Sequence, residues 1–369
     1  MKKKLLLMTA IPPFPANSGG ATRIYHTIEY LGQHYDLYLL SFGEKINQKA
    51  EIDFLNQNCC EWRVFPLGEK KILNPLPYHF SNYENLAFYQ TLQEWLNKEN
   101  FDLFRVEFTQ LARLVKYLPA DKKRIFIVHD IALVAFYRRM KEKKWGLKKL
   151  ISWWWIWQMF FYEKRWLNKY QQLRVMSATD KKYLSEFVSE DKIVIEPNGI
   201  KAINFLPKKA SDKIKLGFIG SQLHPPNQGA IKYIIEQILP ALDKQKIAYE
   251  FYLAGDNNLE ISNKNIINLG RVEKKIDFFA QIDILVAPIM AGSGTRIKIL
   301  EALSYGKPVI TTKIGAEGLD IKHQYLQVVE DDTWGEKIVS MAQLKNANLA
   351  ELKKQLEPYL WERVFGERD

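Results

Sequence analysis

The sequence predicts an α/β chain of two doubly wound parallel sheets, one in each half of its 369 residues, facing each other across a cleft. Three observations predict it. Short apolar runs alternate with helical patterns from end to end, as in parallel strands joined by helical crossovers. The runs fall into two sets of about six, enough for a sheet apiece. Between the sets lies Glu196-Pro197-Asn198-Gly199, a turn-rich join placed after one sheet is complete and before the next begins.

The first strand is Leu5–Met8. The cluster Met1-Lys2-Lys3-Lys4 before it resembles a leader, but the apolar run stops at Pro12-Pro13 and no small-residue cleavage site follows. A buried strand is the better reading. Asp36–Phe42, Trp62–Pro66, Leu103–Glu107, Arg124–His129 and Leu173–Ser177 complete the first set. Lys215–Ile219, Glu250–Ala254, Ile266–Leu269, Ile284–Pro288, Pro308–Thr311 and Leu326–Val329 make the second. The expected domains are 1–197 and 198–350, followed by a final helix over 351–369 that carries Tyr359-Leu360-Trp361 and Val364-Phe365.

Hydrophobic residues at 47% and charged residues at 26% are those of a soluble globular protein. No apolar stretch reaches the roughly 20 residues of a spanning helix. The only cysteines, Cys59 and Cys60, are adjacent, which is neither a disulfide framework nor a metal spacing, so a reducing cytoplasm is expected. The net charge of +11 is uneven: +9 within residues 1–200 and +2 within 201–369. Between Arg138 and Lys149, seven cations, including Lys143, Lys144, Lys148 and Lys149, face one acid, Glu142. Such a patch seeks an anionic surface, lipid or nucleic acid. Directly after it, Trp153, Trp154, Trp155 and Trp157 fall within five residues. That exceeds what core packing requires and favours a helix lying in a membrane interface over a buried helix. No nucleic-acid module accompanies it, and no nucleic-acid partner is expected.

The strongest local pattern runs from Ala291 to Gly306. A strand ending at Pro288 is followed by the turn Gly292-Ser293-Gly294-Thr295 and then by a helix with Ile297, Leu300 and Leu303 on one face. Free backbone amides and the positive end of the helix dipole would there meet a diphosphate. Arg296 and Lys298 add two charges, and Glu301, one turn on, is placed for ribose hydroxyls. In the first half, His129 ends a strand at the edge that lines the expected cleft. Gly19-Gly20 allow close backbone approach to a phosphate or an acceptor, and Arg23 could reach the same anion. No Asp-x-Asp triplet occurs, so neither a metal nor another cofactor is expected.

At this point the residues resemble the retaining glycosyltransferases of the GT-B fold, in particular glycosyltransferase family 4. The matching text is Gly217-Phe218-Ile219-Gly220-Ser221, Pro226-Asn227, the Gly292–Glu301 loop, Leu300–Ile310, and Gly315-Ala316-Glu317-Gly318-Leu319. Weaker matches are Pro15–Gly20 with Arg23, Val175–Asp180 and Pro197-Asn198-Gly199. The resemblance implies a nucleotide-sugar donor, UDP- or GDP-linked, bound by Gly220, Ser221, Asn227, Arg271, Val272, the Gly292–Thr295 loop and Glu301. It also implies a His129 that touches the donor sugar, and a C-terminal helix that crosses back to the N-terminal domain. Two positions depart from the family. Ser293 stands where its first glutamate would be, so amides of Gly292 to Thr295 substitute there. The loop Ser221–Asn227 carries neither Arg nor Lys, so Arg296 and Lys298 replace the family's diphosphate grip.

The implied activity is a metal-independent, retaining hexosyl transfer to a glycan or lipid-linked acceptor in envelope polysaccharide biosynthesis. It would take place in the cytoplasm or on the inner face of the cell membrane. The alternatives are a GT-B sugar-nucleotide epimerase or non-catalytic nucleotide-sugar-binding protein, and a basic peripheral membrane or nucleic-acid-binding protein.

Overall fold

The computed structural model describes residues 2–16, 18–70, 77–131, 133, 147–207, 211–221, 224–256, 263–290, 296–330, 333–344 and 348–366, the side chains of 79 and 147–151 excepted. The chain divides into two compact units, Met1–Pro197 and Asn198–Asp369.

The first unit holds β1 (Lys4–Thr9), β2 (Asp36–Phe42), β3 (Glu61–Phe65), β4 (Leu103–Glu107), β5 (Lys123–Val128), β6 (Gln172–Val175) and β7 (Ile193–Ile195). They form one parallel sheet in the order β3-β2-β1-β4-β5-β6-β7. Side chains alternate across a strand, and here both faces are buried. Leu5, Leu7, Leu37, Leu39, Ile125 and Ile127 pack with Ile24, Ile28 and Leu31 of the helix Gly19–His34. The intervening residues Leu6, Met8, Leu40, Phe104, Phe126 and Val128 pack with Phe88, Leu92, Trp95, Met159 and Tyr162. Near-continuous apolar runs follow from that double burial. β7 is the strand that the sequence did not announce. It is three residues long, lies between the charged run Glu190-Asp191-Lys192 and Glu196-Pro197, and is too short to show a period.

The second unit holds β8 (Ile214–Ile219), β9 (Tyr249–Ala254), β10 (Ile266–Gly270), β11 (Ile284–Ala287), β12 (Val309–Thr311) and β13 (Leu326–Val328). Their order, β10-β9-β8-β11-β12-β13, repeats the first sheet's winding, and again all neighbours are parallel. In both sheets the strand order reverses beside the first strand, between β1 and β4 and between β8 and β11. Ligands of doubly wound sheets bind at that reversal, beyond the carboxyl ends.

The C-terminal segment was expected to pack on the N-terminal half. It is grouped with the second unit, and its hydrogen bonds explain why. The Ile200 amide donates to Tyr359 O, the Trp361 amide to Ile200 O, and the Asp320 amide to the Tyr359 hydroxyl. Leu352, Leu356 and Tyr359 join the second core. Among the described residues no helix is long and apolar enough to cross a membrane.

Candidate functional site

In the second unit the site begins at the glycines that end three adjacent strands. β8 leads into Gly220, β9 into Gly255, and β10 ends at Gly270. The Gly220 amide donates to Ala254 O and the Gly255 amide to Gly270 O. Gly255 has φ +131°, and a Cβ there would come within 2.3 Å of the Gly220 carbonyl oxygen. A Cβ on Gly220 would meet Asn227 Nδ2 and Lys298 Nζ, each at 2.7 Å. Glycine is therefore demanded at Gly255 by backbone approach and a positive φ, whereas a side chain at Gly220 would have to displace the ends of Asn227 and Lys298.

Around Gly220 the structure assembles residues far apart in sequence. Asn227, in the first turn of the helix Pro225–Tyr233, donates from Nδ2 to Ser221 O at 2.8 Å. Lys298, in the helix Ile297–Ser304, donates from Nζ to Asn227 Oδ1 at 2.8 Å and stands 4.1 Å from the centre of the Phe218 ring. Burial, with Arg296 adding like charge, pulls Lys298 down to about 7. An anion placed beside it would favour its charged form.

Glu301 lies one turn beyond Lys298. Its Oε1 accepts from Lys275 Nζ at 2.6 Å. Lys275 opens the short helix Lys275–Phe279, and nothing in its sequence context marks it as a partner of Glu301. Arg296 precedes the helix Ile297–Ser304, and its carbonyl accepts from the Ile299 and Leu300 amides. Arg271 is exposed just past β10, and Val272 packs on the second core. Gly292, Ser293, Gly294 and Thr295, the expected phosphate cradle, lie outside the described residues.

In the first unit the ends of β4 and β5 bring His129 onto Glu107, with Nε2 at 2.6 Å from Oε2. Glu107 also accepts from Arg105 Nε at 2.7 Å, and Arg105 holds its carboxyl at about 2. A carboxylate only accepts, so His129 Nε2 carries the hydrogen and Nδ1 is the ring's acceptor position. Burial pulls the His129 pKa below its ordinary value against the opposing pull of Glu107, which favours that neutral form. The ring stacks on Phe108 with 3.7 Å between centroids and 10° between planes. Phe108 has φ +74°, a conformation few non-glycine residues adopt. A Cβ on Gly20 would lie 3.3 Å from the Phe108 ring and 2.7 Å from Ile11 Cδ1. Gly20, Phe108 and His129 are therefore contiguous at the carboxyl edge beside the β1–β4 reversal. Gly19 opens the adjoining helix, exposed, after Ser18 caps it by accepting from the Ala21 amide.

Arg23 departs from expectation. It was assigned to a donor anion, but its side chain is fully buried. It donates to Pro197 O at 2.8 Å and forms an ion pair with Glu196. Glu196 also takes Arg105 at 2.8 Å and Arg174 at 2.5 Å. The three guanidiniums hold its carboxyl far below the usual range. Arg23 is thus a structural counter-charge. Sequence reading missed this network, although Arg105-x-Glu107 and Arg174 on otherwise apolar central strands were its visible signal.

Of the residues assigned to a lipid surface, Lys143 and Lys144 lie outside the described residues. Lys148 and Lys149 lie at the start of the helix Leu147–Leu167, their side chains not described. Trp153, Trp154 and Trp157 are 39%, 64% and 56% exposed.

Comparison with known proteins follows the same division. The family model described as Glycosyltransferase Family 4 matches residues 17–202, and that described as Glycosyl transferases group 1 matches residues 213–343. A protein of Klebsiella pneumoniae described as an uncharacterized 44.6 kDa protein in cps region is 24% identical over 360 residues, covering 89% of this chain and 88% of its own. The sucrose-phosphate synthase of Thermosynechococcus elongatus has a similar structure, with TM-score 0.69 at 13% identity over 98% of this chain and 96% of its own. So has Anabaena HepE in complex with UDP and glucose, with TM-score 0.64 at 14% identity over 98% and 97%. The likeness at these identities is one of fold.

Proposed function

Since the chain belongs to the family 4 and group 1 glycosyltransferases, we propose that it moves a hexose from a nucleotide sugar, UDP- or GDP-linked, to a glycan or lipid-linked acceptor. The observation that carries this reading is the Gly220–Asn227–Lys298 cluster with Glu301 one turn away, at the strand ends where such a sheet binds nucleotides. UDP is the favoured nucleotide, because HepE was solved with UDP and with UDP-glucose. The relative from a cps region favours an envelope polysaccharide as the product.

The chemistry assigned to the site is the following. The anomeric C–O bond breaks, and negative charge grows on the leaving diphosphate. Lys298 and Arg296 meet that charge, and stabilisation that increases toward the transition state speeds the reaction. Glu301 takes the ribose hydroxyls, releasing Lys275. His129, held by Glu107, offers Nδ1 to a hydroxyl of the donor sugar. The leaving phosphate accepts the acceptor's proton on the same face, so configuration is retained and no separate base is needed. Without an Asp-x-Asp motif the charge falls to side chains rather than to a divalent ion. The proposed setting is the cytoplasm or the inner face of the cell membrane.

The test is release of nucleoside diphosphate from a panel of UDP- and GDP-sugars with a polysaccharide-repeat acceptor. Acceptor-dependent release from one donor, reduced in Lys298→Gln, is the expected result. Conversion of the donor to its epimer without acceptor would identify an epimerase instead. Donor binding with neither product would leave a binding protein.

A further inference from the structure

The helix Leu147–Leu167 exposes a face that carries none of the residues of the candidate site. At 3.6 residues per turn, Trp153, Lys164, Trp157, Phe161, Trp154 and Arg165 fall in that order on an arc of about 120°. All six are exposed, with Trp154 at 64%, Trp157 at 56% and Phe161 at 58%. The opposite side carries Met159, Tyr162 and Leu167 into the first core. A helix apolar on both sides is ordinarily enclosed on both. Among the described residues this one is enclosed on one.

The exposed arc is a short aromatic plate with a cationic edge. Trp153 to Phe161 spans about 12 Å along the axis at 1.5 Å per residue. The Trp157 and Phe161 rings lie 5.7 Å apart and 28° from parallel. Lys164 and Arg165 follow in the next turn. The only acid between residues 147 and 169 is Glu163, and it is buried. In the sequence leading into the first turn of the helix, the run Arg138–Lys149 sets seven cations against one acid. Aromatic bodies flanked by charge of one sign match an anionic bilayer, in which indole rings sit at the headgroup boundary and cations meet phosphates.

We infer that this face of the helix Leu147–Leu167 docks the protein on an anionic lipid surface. The inference rests on exposure and charge, not on the identity of donor or acceptor, and it can fail while glycosyl transfer stands. The experiment is co-sedimentation of the full chain with phosphatidylcholine vesicles, with and without phosphatidylglycerol, over a salt series. Wild-type protein binds the anionic vesicles at low salt, at least about tenfold more tightly than the neutral ones, and retains a residual salt-resistant part. The variant Trp154→Ser/Trp157→Ser/Phe161→Ser loses at least about tenfold in vesicle affinity and keeps turnover on a soluble acceptor. Should that variant fail to fold, Lys164→Glu/Arg165→Glu serves in its place, and its binding weakens at low salt alone. Wild-type protein that ignores anionic vesicles at low salt overturns the inference. So does a folded aromatic variant that binds like wild type. A wild-type dimer that the aromatic variant loses, without vesicle binding, assigns the face to a second copy and likewise overturns it.

Discussion

The pH dependence of diphosphate binding tests the Lys298 cluster directly. Burial and the neighbouring Arg296 lower this lysine from 10.5 to about 7, so in the ligand-free fold its cation is lost as pH rises through neutrality. A bound diphosphate holds the proton on, and binding above that point therefore takes up one proton. Affinity then falls by up to about tenfold per unit above about pH 7, near tenfold at pH 8 and approaching a hundredfold at pH 9, and weakens again below about pH 6 as the diphosphate itself takes up a proton. The stability of the ligand-free fold runs the other way. Unfolded chains bind more protons at this site between about 7 and 10.5, so stability rises with pH across that window. The assay is calorimetric titration of UDP and of GDP in buffers of different ionisation enthalpy, which counts the proton directly. Lys298→Gln should abolish both the slope and the proton uptake while keeping a hydrogen bond to Asn227. A flat wild-type profile, or a mutant that keeps the slope, would refute the assignment of this lysine to the phosphate.

Four further outcomes are expected. Glu301→Ala loses charge-assisted hydrogen bonds to the ribose, about 1.5–3 kcal/mol each, so nucleoside diphosphate affinity should fall roughly ten- to hundredfold with the melting temperature unchanged. Glu107→Gln keeps the shape of the His129 contact but removes the obligate acceptor, and kcat should fall more than KM rises; a rise in KM with kcat unchanged would mean that His129 only binds. Glu196→Ala removes the carboxylate that three buried guanidiniums share and should cost about 3–5 kcal/mol, read as a lower urea midpoint for the first unit. On acidification Glu107, lowered from 4.5 to about 2, contributes stability that is present above about 4.5 and lost as pH falls through about 2, which a pH series of thermal melts would follow.

The strands were legible because each is buried on both faces, so that Leu5–Met8 or Ile284–Ala287 reads as an apolar run whatever surrounds it. That Gly220, Asn227 and Lys298 stand out was legible, the first two through the family resemblance and the last as a cation at a helix start after a glycine turn. Their convergence was not, because it depends on β8, the helix Pro225–Tyr233 and the helix Ile297–Ser304 meeting at one point. The pairings of Lys275 with Glu301 and of Glu107 with His129 were invisible for the same reason: the partners lie 26 and 22 positions apart, and a pairing leaves no periodic trace. Arg23 was misread because an arginine near a glycine turn looks like an anion ligand until a buried carboxylate is found beside it. The aromatic run was readable as unusual, but which of its rings face outward is a matter of helical phase against the core.

The Glu196 network also sets an order of events during synthesis. Its ion pairs reach back 173 residues to Arg23, 91 to Arg105 and 22 to Arg174. A ribosome adding about 5–20 residues per second needs roughly 10–35 s to travel from the first of these to the last. Throughout that interval the helix that carries Arg23 lacks the carboxylate with which its guanidinium pairs in the folded unit. That carboxylate arrives with the unit's final residues, immediately before the second unit begins, so the pairing of Arg23 belongs to the last stage of the unit's synthesis.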